Sequence, residues 1–393
     1  MKKSYLMIAA AAALFAACSS NDTLREINEE NLIGFSTVHQ KATKATENSG
    51  EDYSWSLSNH HTTFKVWGYK NTSATAVFDG EEVRWDTSLD PDAWVYTNNR
   101  YWDKAATTYQ FYACAPYGAA ATPFTFNGVN DVASQGSGYF TITSAYTKVG
   151  ENVSPKNATT TVESWTARNA GTDVDLMIAA PATYTGGALT TAYTGKVTLN
   201  FIHILSRLNI TVKTADGFYP TVGTGDKIKV TNITIGHMNN SGTFNENTTL
   251  GDGVLAGGTN ARWTATGDHD FSYDINYDAT QTANYVIEAL MMPQTAGVEA
   301  IALDGTEVTT DAETMPFLKI AYSIYNNAEN AHEDYVSYYN LASLFGKTGA
   351  ETLAFNEGWQ NTLNITISPD QIHFDGKVAV WDDATPAGAV TVK

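Results

Sequence analysis

The chain has 393 residues, about the length of two ordinary domains, and carries 42 Asp and Glu against 23 Lys and Arg, for a formal net charge of −19. Phosphates and anionic lipid headgroups would repel such a surface, which excludes nucleic acid and simple electrostatic adsorption to a membrane. Aromatic residues make up 12% of the chain, with 21 Tyr and 9 Trp, and with the many Thr they suit pleated, half-buried surfaces.

Residues 1–17 read as a removable export signal. Lys2 and Lys3 are followed by an apolar stretch from Leu6 to Phe15, too short for a membrane span of about 20 residues, and then by the small Ala16 and Ala17. The end of this segment, Leu14-Phe15-Ala16-Ala17-Cys18, has the pattern at which a bacterial cysteine is diacylated, so Cys18 is the expected lipidation site. Two acyl chains anchor far more firmly than one. Cys114 is then left single among strand-like aromatics as a small core residue, and no disulfide within the chain is expected.

Residues 18–45 combine a polar tether with one short apolar run, Leu32-Ile33-Gly34-Phe35, isolated between polar segments. Such a strand either pairs into a distant sheet or is removed. From Phe64 onward the strand pattern is dense: FKVWGYK, AVFDG, EEVRW, the stretch from Trp94 to Trp102, and TYQFYACAPYG, where Pro116 should end the ladder. Residues 118–170 look like long loops around a strand at YFTITSAY, and VDLMIAAP from Val174 should close a first domain spanning 46–190.

The second domain, 191–393, opens with KVTLNFIHILSRLNITVK. Val197, Leu199, Phe201, His203 and Leu205 share one parity, whereas Leu208, Ile210 and Val212 share the other, which predicts a bulge or bend near Ser206. Period-two segments recur down to IHFDGKVAVW, and the window from His332 to Gly346 is the one helical candidate. Many short strands with turn residues between them predict an all-β chain of two tandem sandwiches.

Catalytic patterns are missing. GKT at Gly346-Lys347-Thr348 lacks the glycine five positions earlier, where Leu341 stands, and His332-Glu333 lacks the second His of a zinc helix. Asp86, Asp90 and Asp92 do not have calcium-loop spacing, His60-His61 reads as an exposed turn, and His203 between two Ile reads as a structural histidine. No enzyme activity, cofactor or metal is expected. Trp67, Tyr69, Trp94, Tyr96, Tyr101 and Trp102 could stack on sugars, but strand alternation assigns most of them to a core.

The order of segments resembles the fimbrillin-like proteins of Bacteroidia, which form type V pili and their tip or anchor components. The resemblance is carried by the lipidation motif, the strand ending in Phe35 and followed by KATKAT, FKVWGY, FYACAP, DLMIA, VTLNFIHILSRLNITV and a late VAVW. It implies transthyretin-like β-sandwich domains, an outer-membrane, cell-surface precursor held by lipid at Cys18, and other pilus subunits as partners. It also implies a trypsin-like protease that cuts after the first strand, here at Lys41 or Lys44. The strand carrying Ile33 and Phe35 would then leave, and a neighbour's C-terminal strand would fill the groove. The donor pairs are Val378 with Val380, or Val390 with Val392; alternatively Val378, Val380 and Trp381 complete the chain's own second domain. The competing reading is a lipid-anchored surface protein that does not polymerise and binds glycans or host ligands.

Overall fold

A computed structural model describes residues 31–39, 61–71, 76–117, 123–128, 138–146, 149–150, 174–192, 195–216, 227–246, 262–297, 315–326, 331–368 and 372–380. Cys18, Lys41, Lys44, Val390 and Val392 lie outside these residues. With strands numbered in chain order, the first sheet runs β1 (Gly34–His39), β9 (Lys196–His203), β8 (Met177–Thr185), β5 (Thr108–Ala115), β2 (Thr63–Lys70), β3 (Ala76–Asp86), β4 (Ala93–Val95). One short helix, α1 (Gly186–Ala192), links β8 to β9.

This sheet rolls around its own apolar core. Ile33, Phe35, Phe64, Val66, Phe78, Phe111, Val197, Leu199 and Phe201 form one buried cluster on its inner face. The roll is nearly closed, because Leu32 forms an isolated bridge to Tyr101 in the segment after β4. The other parity of the same strands, Trp67, Tyr69, Tyr112, Cys114 and Ile178, is also buried, in a second cluster. A sheet buried on both faces explains why β2 and β5 carry so few polar residues.

The second face is covered by a composite sheet ordered β13 (Trp263–Thr266), β12 (Ser241–Asn245), β7 (Tyr139–Tyr146), β6 (Thr125–Asn127). Strands β6 and β7 come from the first half of the chain and β12 and β13 from the second. They join where Phe244 is opposite Ile142.

The second half forms a sandwich. One sheet runs β15 (Asn284–Met291), β10 (Ser206–Thr214), β20 (Trp359–Ile367), β21 (Ile372–Val380), and the other runs β14 (His269–Asp278), β11 (Lys227–Met238), β17 (Phe317–Asn326), β18 (Ala331–Asn340). A ribbon of β16 (Gln294–Gly297) and β19 (Thr352–Phe355) lies beside them. The all-β expectation is therefore realised.

Several details differ from the sequence reading. The parity change near Ser206 is a change of sheet: β9 ends at His203, the chain crosses at Ile204-Leu205, and β10 starts a new sheet. Strand β9, placed by the 190/191 boundary in the second domain, pairs with β8 and β1 in the first sheet. The expected helix at His332–Gly346 is instead strand β18 followed by a 3-10 turn at Ser343–Phe345. Ten residue pairs with β17, from Phe317–Asn340 to Asn326–Ala331, outweigh its modest helical propensity. His61, expected in an exposed turn, is 2% exposed; His60 lies outside the described residues.

Candidate functional site

Strand β1 is the edge of the first sheet and pairs in parallel with β9 alone, from Gly34 opposite Lys196 to His39 opposite Phe201. A six-residue strand on one ladder has a modest hold from its backbone. Its side chains add much more, since Ile33 is 0% and Phe35 1% exposed. The Phe35 ring meets Phe64, Phe78, Tyr96 and Phe111 at centroid distances of 5.9, 5.3, 5.8 and 6.2 Å, mostly edge to face. Burying two such side chains contributes about 1.5–3 kcal/mol each.

The entry to β1 is fastened on its other side. The Ile33 amide donates to the Arg100 carbonyl at 2.9 Å, and the Trp102 amide donates to the Asn31 carbonyl at 2.9 Å. The Tyr96 hydroxyl donates to the Ile33 carbonyl at 2.7 Å. Burial pushes the Tyr96 phenol above its usual range, so it stays a donor throughout neutral and mildly alkaline pH. Arg100 is held by the Val77 and Asn98 carbonyls at 3.1 and 2.9 Å. The sequence pointed to Tyr96 only as a possible sugar platform, and nothing in it marked Arg100, because both act through backbone groups that come together only in the fold.

If β1 were absent, the β9 edge and the aromatic pocket of Phe64, Phe78, Tyr96 and Phe111 would form an open slot with an unsatisfied ladder on one wall. Such an edge is a template for another strand. Gly68 lines the same region: a methyl group there would lie 2.9 Å from the Phe78 ring and 3.0 Å from Phe111, so β2 needs glycine for both rings to reach Phe35.

At the far end of the chain, β21 is antiparallel to β20, with Val378 opposite Asn361 and Val380 opposite Trp359. Val378 packs against the second core. This is the arrangement in which that segment completes its own domain. Gly376 fits closely under the 3-10 turn, where an added Cβ would lie 2.6 Å from the Leu344 carbonyl oxygen.

Other residues weighed for chemistry have structural partners. His203 Nδ1 lies 3.0 Å from Asp175 Oδ1, and both residues are buried. Asp86 accepts from the Ser88 amide and hydroxyl at 3.0 and 2.6 Å, which holds its carboxyl below the usual range. Among the described residues no group of three His, Cys, Asp or Glu side chains is placed to hold a metal. Burial pushes the Cys114 thiol up. Trp67, Tyr69, Trp94 and Trp102 are buried and Tyr96 is half-buried, while Tyr101 is 39% exposed.

The family model described as fimbrillin-like matches residues 43–381. The chain belongs to the fimbrillin-like family. It is a fimbrial subunit, of a family of structural proteins that assemble with other subunits. Among solved structures, it is similar to a fimbrial protein from Bacteroides vulgatus at 17% identity and TM-score 0.44, covering 90% of this chain and 100% of the other. It is also similar to a candidate cell adhesion protein from Bacteroides ovatus at 14% identity and TM-score 0.45, covering 90% and 99%. A comparison of this fimbrillin-like chain with curated proteins finds no match.

Proposed function

We propose that this chain is a structural or adhesive subunit of a type V-like pilus, exported as a precursor lipidated at Cys18 and assembled by strand replacement. One observation carries the reading: an edge strand with a single ladder partner, and the residue just before it, supply two fully buried side chains, Phe35 and Ile33, to the core of the first sheet. A trypsin-like cut at Lys41 or Lys44, just beyond His39, separates β1 from β2. The released strand leaves a groove that another subunit's strand fills, in the manner of β-augmentation. Head-to-tail filling repeats along a polymer. Loss of Ile33 and Phe35 from the core costs about 3–6 kcal/mol in burial alone, so the plug holds until the chain is cut and a replacement is at hand.

The pairing of β21 with β20 favours Val390 and Val392 over Val378 and Val380 as the donated pair, since the latter occupy a strand of their own domain. The alternative reading, a surface protein that binds glycans and does not polymerise, draws less support, because most aromatics of the suggested platform are buried.

The test is limited digestion of the full chain with a lysine-directed protease. Cleavage near residue 44, loss of the β1 peptide and the appearance of a ladder of oligomers are expected. Clean cleavage with release of β1 and no gain in association would overturn assembly by strand replacement.

A further inference from the structure

The crossover between the two halves, Ile204-Leu205, is clasped from both sides. The Trp263 indole donates to the Ile204 carbonyl at 2.6 Å, and the Gly358 amide donates to the Leu205 carbonyl at 2.9 Å. The residue preceding each clasp is charged and buried: Arg262, 4% exposed, and Glu357, 0% exposed. The Arg262 Nε donates to Glu357 Oε2 at 2.8 Å and its Nη2 donates to the same oxygen. Glu357 Oε1 is buried with no hydrogen-bond partner among the described residues. A second acid, Glu246, just beyond β12, accepts from the Phe140 amide of β7 at 2.8 Å and lies in the field of both Arg262 and Glu357.

One guanidinium thus binds a fully buried carboxylate, Glu357, and acts through its field on a second, half-buried one, Glu246, at the seam where the halves of the chain interlock. We propose that Glu357, Arg262 and Glu246 form a proton-controlled clasp, firm when the two carboxylates share one proton and weakened when both are ionised. With both ionised, one positive charge faces two negative ones, and the charge on Glu357 is held out of water, which is costly. With one proton bound, the charges balance. The further groups that face the cluster are Tyr112 and Cys114 on β5, whose acidities Glu246 lowers, and Lys65 on β2, whose charge acts on Cys114. Neither Tyr112 nor Cys114 ionises at mild pH, so they supply no compensating charge change there.

Desolvation pushes the Glu357 carboxyl up to about 7, and burial moves Glu246 in the same direction. The folded state therefore keeps a proton that the unfolded chain, with an ordinary carboxylate, gives up. Stability from this group is full below the ordinary glutamate range and is lost as pH rises through about 7. The clasp tightens on acidification and loosens in mild alkali.

Hydrogen exchange of Ser241–Asn245 and Trp263–Thr266 in the full chain, corrected for intrinsic rates, tests this. Protection should fall about tenfold or more between about pH 5.5 and pH 8.5, the equivalent of at least one pKa unit of linkage. Glu357→Gln, which leaves Arg262 balanced by Glu246, should hold protection nearly level across that range. Glu246→Gln should reduce the fall, and serves if the first variant does not fold. Equal wild-type protection at both pH values, or a full fall retained in a folded variant at Glu357, overturns the clasp.

Discussion

The Tyr96 hydroxyl donates a 2.7 Å hydrogen bond to the Ile33 carbonyl, across 63 residues of sequence. It is a side-chain latch on the strand proposed to leave. The ring of the same tyrosine packs against Phe35, 5.8 Å between centroids. Tyr96→Phe keeps the ring and removes the latch. The expected loss is about 0.5–1.5 kcal/mol, the usual net value of one hydrogen bond. It should appear as faster release of β1 after lysine-directed cleavage, with the midpoint of global unfolding moved far less. An unchanged release rate would mean that the latch contributes nothing to retention of the strand.

Phe35→Ala removes the ring that meets four aromatic neighbours. Full burial of a phenylalanine at a site that cannot collapse would cost about 3–5 kcal/mol. Since β1 is an edge strand, the loss should be spent locally, as opening of β1 before the rest unfolds. Hydrogen exchange in the paired segment Lys196–Phe201 should therefore rise sharply, while exchange in β10 and β20 changes little. A uniform rise across both halves would show that β1 is integral to one cooperative unit.

The strands were legible because alternation reports a half-buried surface, and β20 shows it plainly. Burial of Ile33 and Phe35 was legible for a related reason: two large apolar residues isolated in a polar stretch need a core elsewhere. The helix expected at His332–Gly346 failed at a wet edge. Residues His332, Glu333 and Asp334 are exposed on both faces of β18, so there is no alternation to read. The parity change near Ser206 was visible, but its meaning depended on partners far away in sequence. The composite sheet and the Glu246, Arg262 and Glu357 cluster left no local pattern, since their contacts span about a hundred residues. Charged residues buried by distant packing look like surface residues when read in order.

Gly68→Ala probes the shape of the same pocket without touching β1. Its methyl group would press on the rings of Phe78 and Phe111. Overpacking of this kind costs about 1–3 kcal/mol. Thermal unfolding should shift downward, and the released β1 peptide should rebind more weakly to the emptied groove. Normal rebinding with a lowered unfolding midpoint would separate strain in the sheet from the geometry of the pocket.

Cys114 offers a clean reporter of the first domain's integrity. Burial raises the pKa of its thiol well above the ordinary thiol range, so no reactive thiolate forms at mildly alkaline pH. In a chain beginning at residue 19, a thiol reagent should label nothing at about pH 8.5 until denaturant is added. Labelling of the native chain would show that the outer face of β5 opens without global unfolding.

The two ends of the C-terminal region should behave differently. Gly376→Ala brings a methyl group against the backbone of Leu344 and Phe345, atoms that cannot rotate away. The expected cost is about 1–3 kcal/mol in stability, because β21 completes the second sandwich. Deletion of residues 382–393, beyond β21, should leave the unfolding free energy within about 0.5 kcal/mol of the parent if that segment serves another subunit rather than its own. If those residues are the donated segment, the same deletion abolishes the oligomer ladder after cleavage while the truncated chain still accepts a strand from an intact one. A truncated chain that polymerises alone would assign donation to β21, and β21 would then have to leave the sandwich that Gly376 allows it to join.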